Sequence, residues 1–141
     1  MGRNEVILLD THAAIWLITE SDFLGPTSRA TIRSAVADGA LFVSAITFWE
    51  IALLVSKRRL QALRTPSQQR MTILNSGVHE LPITGEIAIL SVELENLPAD
   101  PADRLIMATA IKHSATLITA DEALLHGNTP SPVSLLRSSA L

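Results

Sequence analysis

Short unbroken apolar runs that alternate with helical segments limit the fold of this chain more than any other feature. Residues 6–9, 41–43 and 116–118 have the composition of strands buried on both faces, and residues 79–83 and 133–136 are weaker candidates. Strands that alternate with helices need crossover connections, which produce a parallel sheet covered by helices on both faces. We therefore predict an α/β fold, a three-layer α/β/α sandwich with a central parallel sheet, and a single domain over residues 1–141.

The helices between these strands have recognisable start and stop signals. Thr65, Thr84 and Asp100 are each placed to cap a helix N-terminus, and Gly39 and Gly77 stand where a helix C-terminus is expected. The predicted helices cover residues 11–18, 28–38, 45–55, 66–76, 85–96 and 101–114.

The composition restricts the chemistry and the compartment. The chain has no cysteine, which excludes disulfides, thiolate zinc sites and a cysteine nucleophile and fits a reducing compartment. No secretory signal and no run of about 20 apolar residues is evident, so we expect a cytoplasmic protein without a membrane span. Hydrophobic residues make up 48% of the chain, and the mean hydropathy is +0.32. These values are high for a small monomer, so we expect an apolar surface covered by a second copy or by a partner.

The charges are unevenly distributed, although the net charge is only −3. Residues 29–70 contain seven basic side chains and two acidic ones, whereas residues 71–141 contain three basic and eight acidic ones. Such asymmetry is found where a nucleic-acid face adjoins an acidic metal site, and ordinary solvated helix faces produce it about as often. The negative net charge argues against a DNA-binding module that works by neutralising phosphates.

Four carboxylates fall where a parallel α/β sheet builds its sites. Asp10 and Asp121 follow predicted strands, while Glu50 and Asp103 lie in early turns of predicted helices. Strand C-termini and helix N-termini share one edge of such a sheet, so all four side chains are expected on one side of the molecule. Clustered acids repel one another, and a divalent cation keeps them ionised together. Oxygen ligands without cysteine or paired histidines favour Mg²⁺ or Mn²⁺ over zinc.

Glu50 is the most informative of these acids because it is the only charged residue between positions 45 and 55. A helix this apolar is expected to be mostly buried, where an unpaired carboxylate is costly. Glu50 should therefore be paired, protonated or bound to metal. An ion pair with a residue such as Arg104 is the structural alternative to a metal role.

The other acids also have simple structural interpretations. Asp10 and Asp121 could cap the helices that follow them, and Asp103 could complement a helix dipole. Asp100 is best explained as a helix cap, because it directly precedes Pro101. Four such coincidences on one sheet edge are harder to accept than one shared site.

Three ring-bearing side chains near these acids are interpreted as structural. His12 follows Asp10 closely, but an isolated histidine is more often packed or hydrogen-bonded than a metal ligand. Trp16 and Trp49 are expected in the core rather than as platforms for nucleobases.

Four segments resemble, in order and spacing, the signatures of PIN-domain proteins, and most closely those of the VapC-type toxins of bacterial and archaeal toxin–antitoxin pairs. The segments are LLDTH at 8–12, FWEIA at 48–52, DPADRLIMA at 100–108 and ITAD at 118–121. Each motif is weak alone, whereas four in register across nearly the whole chain are specific.

The resemblance implies a metal-dependent endoribonuclease, a hydrolase that cleaves RNA. The family's acids correspond to Asp10, Glu50, Asp103 and Asp121, and Thr119 matches a hydroxyl position that supports them. Mg²⁺ or Mn²⁺ held chiefly by Asp10 and Asp103 would polarise a phosphate oxygen and activate water. The resemblance also implies a homodimer that a cognate VapB-type antitoxin inhibits.

Two alternative functions share part of this sequence pattern. A phosphotransfer receiver domain is a poor fit, because it needs an adjacent acid pair after the first strand and Leu9 and Thr11 flank Asp10. A non-catalytic RNA-binding or regulatory PIN domain is the more serious alternative, because fold does not fix function. Loss of one acid would favour it, and all four are present. The segment before the third acid departs from the family pattern, so the resemblance says nothing of substrate contacts there.

Overall fold

The structure, a computed structural model, describes residues 5–58, 64–120 and 134–137. Within them, five strands form one sheet in which every pairing is parallel. The strands are β1 Ile7–Leu9, β2 Leu41–Ser44, β3 His79–Leu81, β4 Thr116–Thr119 and β5 Ser134–Arg137. Each lies within two residues of a predicted strand. The α/β prediction is therefore confirmed.

Six helices connect these strands in the same part of the chain. They are α1 Thr11–Ile18, α2 Pro26–Ala37, α3 Ile46–Ser56, α4 Pro66–Asn75, α5 Gly85–Glu93 and α6 Pro101–Lys112. Across these described residues, we find no helix whose length and apolar character would let it cross a bilayer.

The order of the strands creates a crevice beside β1. The sheet runs β3-β2-β1-β4-β5, so the chain moves outward from β1 on one side and then returns to the other side. Such a reversal separates the connections that leave neighbouring strands and opens a site at their carboxyl ends. Leu9 pairs with both Val43 and Ile118. Asp10, the next residue, therefore stands at the mouth of this crevice.

Apolar side chains cover both faces of the sheet and produce the predicted three layers. Ile7 and Leu9 belong to a core that includes residues of α1, α2, α3 and α4. Leu8 points the other way and packs with Ile106 and Met107 of α6. This alternation is the two-residue period of a strand, and it explains why the run is apolar throughout.

The predicted caps are confirmed. Thr65 and Gln68 form a reciprocal capping box, in which each side chain accepts a hydrogen bond from the other residue's backbone amide. Thr84 accepts a hydrogen bond from the Ile87 amide at 3.2 Å. These contacts fix the starts of α4 and α5.

Two helices end two or three residues earlier than predicted because backbone conformation changes. Helix α5 ends at Glu93 rather than 96, since Leu94 is extended and Asn96 has a φ of 60°. Helix α6 ends at Lys112 rather than 114, where Ser114 has a φ of 50°. Helix boundaries depend on such local geometry more than on apolar pattern.

Helix α3 is less buried than the sequence predicted. Thr47 and Ile51 are buried, whereas Ala52 is exposed and Trp49 is 51% exposed. The predictions that α3 is mostly buried and that Trp49 belongs to the core are therefore wrong, because only one face of the helix packs on the protein. Trp16 is half-buried and packs against the core, so its predicted core position is confirmed only in part.

Gly39 and Gly77 offer a matched test of a close contact. Both have positive φ, +66° and +90°, but a Cβ at Gly39 meets nothing within 4 Å, whereas one at Gly77 lies 2.9 Å from Val36 Cγ1. We expect Gly39→Ala to lower the free energy of unfolding by about 1–2 kcal/mol through backbone strain. Gly77→Ala should lower it by more, as measured by urea unfolding.

The control for this prediction is Val36→Ala, which removes the obstructing methyl groups. Combined with Gly77→Ala, it should recover part of the lost stability, so that the two substitutions are not additive. Strict additivity would show that the contact with Val36 has no energetic effect.

Candidate active site

Asp10 joins three elements at the carboxyl edge of the sheet. It follows β1 and is the N-cap of α1, where its Oδ1 accepts a hydrogen bond from the Ala13 amide at 2.8 Å. At the end of β4, the Thr119 hydroxyl donates to Asp10 Oδ2 at 2.7 Å and the Ala120 amide donates to it at 2.9 Å. Asp10 is only 7% exposed. A single buried carboxylate thus connects β1, α1 and β4.

The electrostatics of Asp10 favour a cation nearby. Burial raises the pKa of Asp10 above its ordinary value of 3.8, while the hydrogen bonds from Ala13, Thr119 and Ala120 oppose the rise. Each carboxylate oxygen has about two acceptor positions. Both positions of Oδ2 are accounted for by these donors, and Oδ1 keeps one beyond the Ala13 bond. The cap and ligand interpretations of Asp10 are therefore compatible.

The acids line a common cavity at this edge. Its volume is about 410 Å³, and its lining includes Asp10, Glu50 and Asp103, together with Asp100. Thr11, His12, Trp16 and Ala120 complete the lining. Three of the four predicted acids are therefore brought together at one cavity.

Two buried threonines position Glu50. The Thr11 hydroxyl donates to the Thr47 hydroxyl oxygen at 3.3 Å, which joins the first turns of α1 and α3. Glu50 follows Thr47 by three residues and therefore lies on the same face of α3. Glu50 is half-buried, and its carboxylate has no hydrogen bond or ion pair within the described residues. The alternative in which an internal ion pair satisfies this acid is therefore not found among the described residues.

Asp100 and Asp103 stand at the start of α6 with different contacts. Asp100 Oδ1 accepts a hydrogen bond from the Asp103 amide at 3.0 Å, so the predicted cap is confirmed. Asp103 lies in the first turn, is half-buried and lines the cavity. The two acids are separated by one helical turn, and both line the cavity, although only Asp100 caps the helix.

Arg104 binds the segment before α6 through backbone carbonyl oxygens. Its guanidinium donates to the carbonyl oxygens of Ser91, Val92, Leu94, Leu97 and Pro98. A guanidinium has five N–H donors, so this set uses all of them. The alternative that Arg104 pairs with Glu50 is therefore wrong. Arg104 instead closes the C-terminus of α5 and fixes the loop that leads to Asp100.

Of the two remaining predicted residues, Thr119 and Asp121, the structure describes only Thr119. The Thr119 hydroxyl contacts Asp10. This agrees with the supporting hydroxyl that the resemblance to PIN-domain proteins implies at this position. Asp121 lies outside the described residues. Within residues 5–58, 64–120 and 134–137, no group of three or more His, Asp or Glu side chains could by itself hold a metal ion. The described acids border one cavity without forming a closed ligand cage.

The lining nevertheless has the chemistry of a hard-cation site. Its candidate donors are the carboxylate oxygens of Asp10, Glu50 and Asp103, which Mg²⁺ and Mn²⁺ prefer. Mg²⁺ usually keeps several waters and takes only one or two protein carboxylates, so an open arrangement of acids suits it.

The residues that line this cavity without having been predicted as site residues include two ring-bearing side chains and one acid. His12 and Trp16 line it, although both were assigned structural roles, and Asp100 lines it in addition to capping α6. A signal was available for the first two, since residues four apart on a helix share a face and His12 lies two residues after Asp10. No pattern in the sequence indicated the carbonyl contacts of Arg104.

Comparison with known proteins identifies the class. The PIN domain family matches residues 7–127, so the chain belongs to that family. It is 37% identical over 130 residues to Ribonuclease VapC22 of Mycobacterium tuberculosis, an alignment that covers 92% of this chain and 97% of the relative.

Solved structures with the same fold support the architecture. The crystal structure of VapBC2 from Rickettsia felis bound to a DNA fragment from their promoter has a TM-score of 0.67 at 19% identity, covering 94% of this chain and 98% of that one. The crystal structure of DNA-bound VapBC from Salmonella typhimurium has a TM-score of 0.67 at 16% identity, with the same coverage. At these identities the similarity establishes the α/β/α fold.

Arg104→Lys tests the contribution of the carbonyl contacts, because lysine keeps the charge but offers only three donors from one atom. We expect the substitution to lower the free energy of unfolding by at least about 2 kcal/mol, since it leaves two or more carbonyl groups without a donor. Urea unfolding provides the measurement.

Arg70→Lys is the matched control for this substitution. Arg70 is exposed and pairs with Glu80 at 2.8 Å, so its replacement should cost less than about 1 kcal/mol. Equal small losses for both variants would show that the Arg104 contacts do not stabilise the protein.

Proposed function

We propose that this protein is a metal-dependent endoribonuclease, the toxin of a type II toxin–antitoxin pair, and that residues 1–141 form one PIN domain. The observation that carries the proposal is the cavity at the carboxyl edge of the sheet, where the buried Asp10 lies with Glu50 and Asp103. Membership of the PIN-domain family and 37% identity to Ribonuclease VapC22 support ribonuclease activity.

Asp10 and Asp103 are the residues that would hold Mg²⁺ or Mn²⁺, with Glu50 and Asp121 completing the catalytic set. The bound cation supplies polarisation of a phosphate oxygen and lowers the pKa of water. Thr119 and the Ala120 amide fix the orientation of Asp10 through its Oδ2. Preorganised ligands of this kind reduce the cost of assembling the site.

Glu50 is suited to act as the general base for the attacking water. Its carboxylate has no hydrogen bond or ion pair in the described part of the chain, and it lines the cavity. In hydrolysis it orients the water and accepts its proton as the water oxygen bonds to phosphorus. The bond from phosphorus to the leaving ribose oxygen breaks, and that oxygen takes up a proton.

A non-catalytic RNA-binding PIN domain is the second candidate function. It would share the fold without needing metal-binding acids, because fold does not fix function. The acids it would not need are nevertheless all present in the sequence. A cleavage assay with purified protein and Mg²⁺ separates the two functions.

We further propose that the protein works in the cytoplasm as a homodimer and is inhibited by a VapB-type antitoxin, with RNA as its substrate. VapBC complexes are among the structures that share the fold. Helix α5 presents two large apolar side chains to solvent, Ile89 at 63% and Val92 at 79% exposure. They are three residues apart and share one helix face, which suits a second copy of the chain.

Replacement of Asp100 is predicted to lower stability, whereas replacement of Asp103 is predicted to abolish RNA cleavage. Asp100→Ala should cost about 1 kcal/mol of stability through the lost cap and leave substantial cleavage of RNA. Asp103→Asn keeps the side-chain shape but removes a ligand charge, so Mg²⁺-dependent cleavage should collapse while the metal-free protein stays as stable or gains stability. Thermal melts with and without Mg²⁺, beside cleavage assays, measure both effects.

Each variant serves as the control of the other, since both change an acid at the N-terminus of the same helix, Asp100 as its cap and Asp103 in its first turn. Normal cleavage by Asp103→Asn together with an inactive Asp100→Ala protein would place the third ligand one turn earlier. Cleavage that persists in both variants would exclude this helix from the active site.

Expression in a bacterial host without an antitoxin is predicted to arrest growth, because uncontrolled RNA cleavage is toxic. The same amount of Asp103→Asn protein should permit normal growth. Co-expression of the cognate antitoxin should restore the growth of cells that express the unaltered chain. Growth curves and quantified soluble protein provide the measurement. Unimpaired growth at high soluble expression of the unaltered chain would contradict the toxin role.

The dimer is predicted to depend on α5. Light scattering should give the mass of two chains at a protein concentration of roughly tens of micromolar, because an interface of standard size holds at that concentration. Val92→Lys or Ile89→Lys should produce monomers, because each buries a charge in the interface. Met71→Lys, at a 50% exposed position on α4, is the control and should remain dimeric. A monomer in the unaltered chain would refute the interface.

A further inference from the structure

A row of ring-bearing side chains leads from the acidic cavity along α1 and into the connection between α1 and α2. The ring centroids of His12 and Trp16 are 5.9 Å apart, and those of Trp16 and Phe23 are 5.3 Å apart. His12 is exposed, Trp16 is half-buried, and Phe23 is 66% exposed. Trp16 lines both the acidic cavity and a second cavity of about 340 Å³ between α1 and α2. The row therefore connects the site with a neighbouring groove.

Basic side chains border this second groove. Arg29 and Arg33 line it, together with one acid, Glu20. Arg29 is held by two backbone carbonyl oxygens of the α1–α2 connection, at 2.6 and 2.7 Å. Arg33 is exposed and makes no ion pair or hydrogen bond within the described residues. Arg33 thus offers an uncommitted positive charge on the groove that Trp16 lines.

We propose that His12, Trp16, Phe23 and Arg33 form a track for single-stranded RNA that leads away from the scissile phosphate. Nucleobases stack on the three rings, and a backbone phosphate contacts Arg33. This inference rests on the proposed ribonuclease function, which places the scissile phosphate at the acids.

Two physical arguments favour a single RNA strand on this surface. Unpaired bases expose the faces that stack on aromatic side chains, whereas bases in a duplex do not. The acidic cavity repels phosphate groups, so the substrate needs attractive contacts outside it, and a stacking row beside a cation supplies both kinds. A purely apolar peptide would use the rings but leave the charge of Arg33 unmatched.

Tryptophan fluorescence reports on the track directly. The chain has two tryptophans, and Trp49 lines neither cavity, so Trp49→Phe leaves Trp16 as the only emitter. The probe is a single-stranded oligoribonucleotide of about eight nucleotides, titrated without divalent metal so that it is not cleaved. An abasic oligomer of equal length is the second probe. We expect the base-bearing strand to quench Trp16 and the abasic strand to leave its emission unchanged.

Substitutions at exposed positions separate stacking from charge. His12→Ala and Phe23→Ala should each weaken binding roughly fivefold or more, the loss of one base–aromatic stack. A plot of the logarithm of the binding constant against the logarithm of the salt concentration has a slope that reflects the number of phosphate contacts. Arg33→Gln should reduce the magnitude of this slope by about 0.7, as expected for the loss of one phosphate contact of a single strand. Lys57→Gln removes an exposed charge that lines neither cavity, and it should leave the salt dependence unchanged.

Several outcomes would overturn the track. Equal quenching by the abasic strand would remove the stacking role, and unchanged RNA binding in all three variants would remove the site. If the variants weaken the complex with the antitoxin instead of RNA binding, the groove is a protein interface. If the unaltered chain cleaves RNA and the three variants bind RNA normally, the track is refuted while the proposed ribonuclease function stands. Binding as expected without any cleavage in Mg²⁺ contradicts the proposed function alone.

Discussion

The three hydrogen bonds to the Asp10 carboxylate are the interaction on which the candidate site depends. They tie the first turn of α1 and the end of β4 to the end of β1. Their geometry requires that β1 and β4 be parallel neighbours, because only then do the carboxyl ends of both strands meet at the same edge. Burial of this carboxylate is unfavourable by itself, and the three donors offset part of that cost. The fold therefore creates a buried carboxylate whose ionised form a nearby cation would stabilise.

Much of this arrangement follows from sequence because it depends on local rules. An unbroken apolar run such as residues 7–9 predicts a strand covered on both sides, and alternation with helices then fixes parallel pairing. Parallel pairing sends every residue that follows a strand to one edge, so Asp10 could be placed without knowledge of its contacts. The cap at Asp100 was equally predictable, since a carboxylate before proline at a helix start has few other roles.

Features that depend on tertiary contact escaped prediction. The apolar composition of α3 suggested full burial, but composition does not say how many neighbours a helix has, and Trp49 is on its open face. Arg104 was considered a partner for Glu50 because opposite charges attract. Carbonyl groups at the end of α5 and in the following loop need donors as well, and their number and direction matched a planar guanidinium better. Such competition is decided by geometry that the sequence does not display.

The contacts of Arg104 and Asp10 suggest how this fold holds several acids at one cavity. Each acid is attached to a separate rigid element: Asp10 to β1, Glu50 to α3 and Asp103 to α6. Hydrogen bonds between backbone and side chains hold the elements together, so their positions do not depend on attraction among the acids themselves. Repulsion among the carboxylates is then resisted by the packed core on both faces of the sheet. A site built in this way is preorganised for a cation, because the cost of bringing like charges together is met during folding rather than during binding.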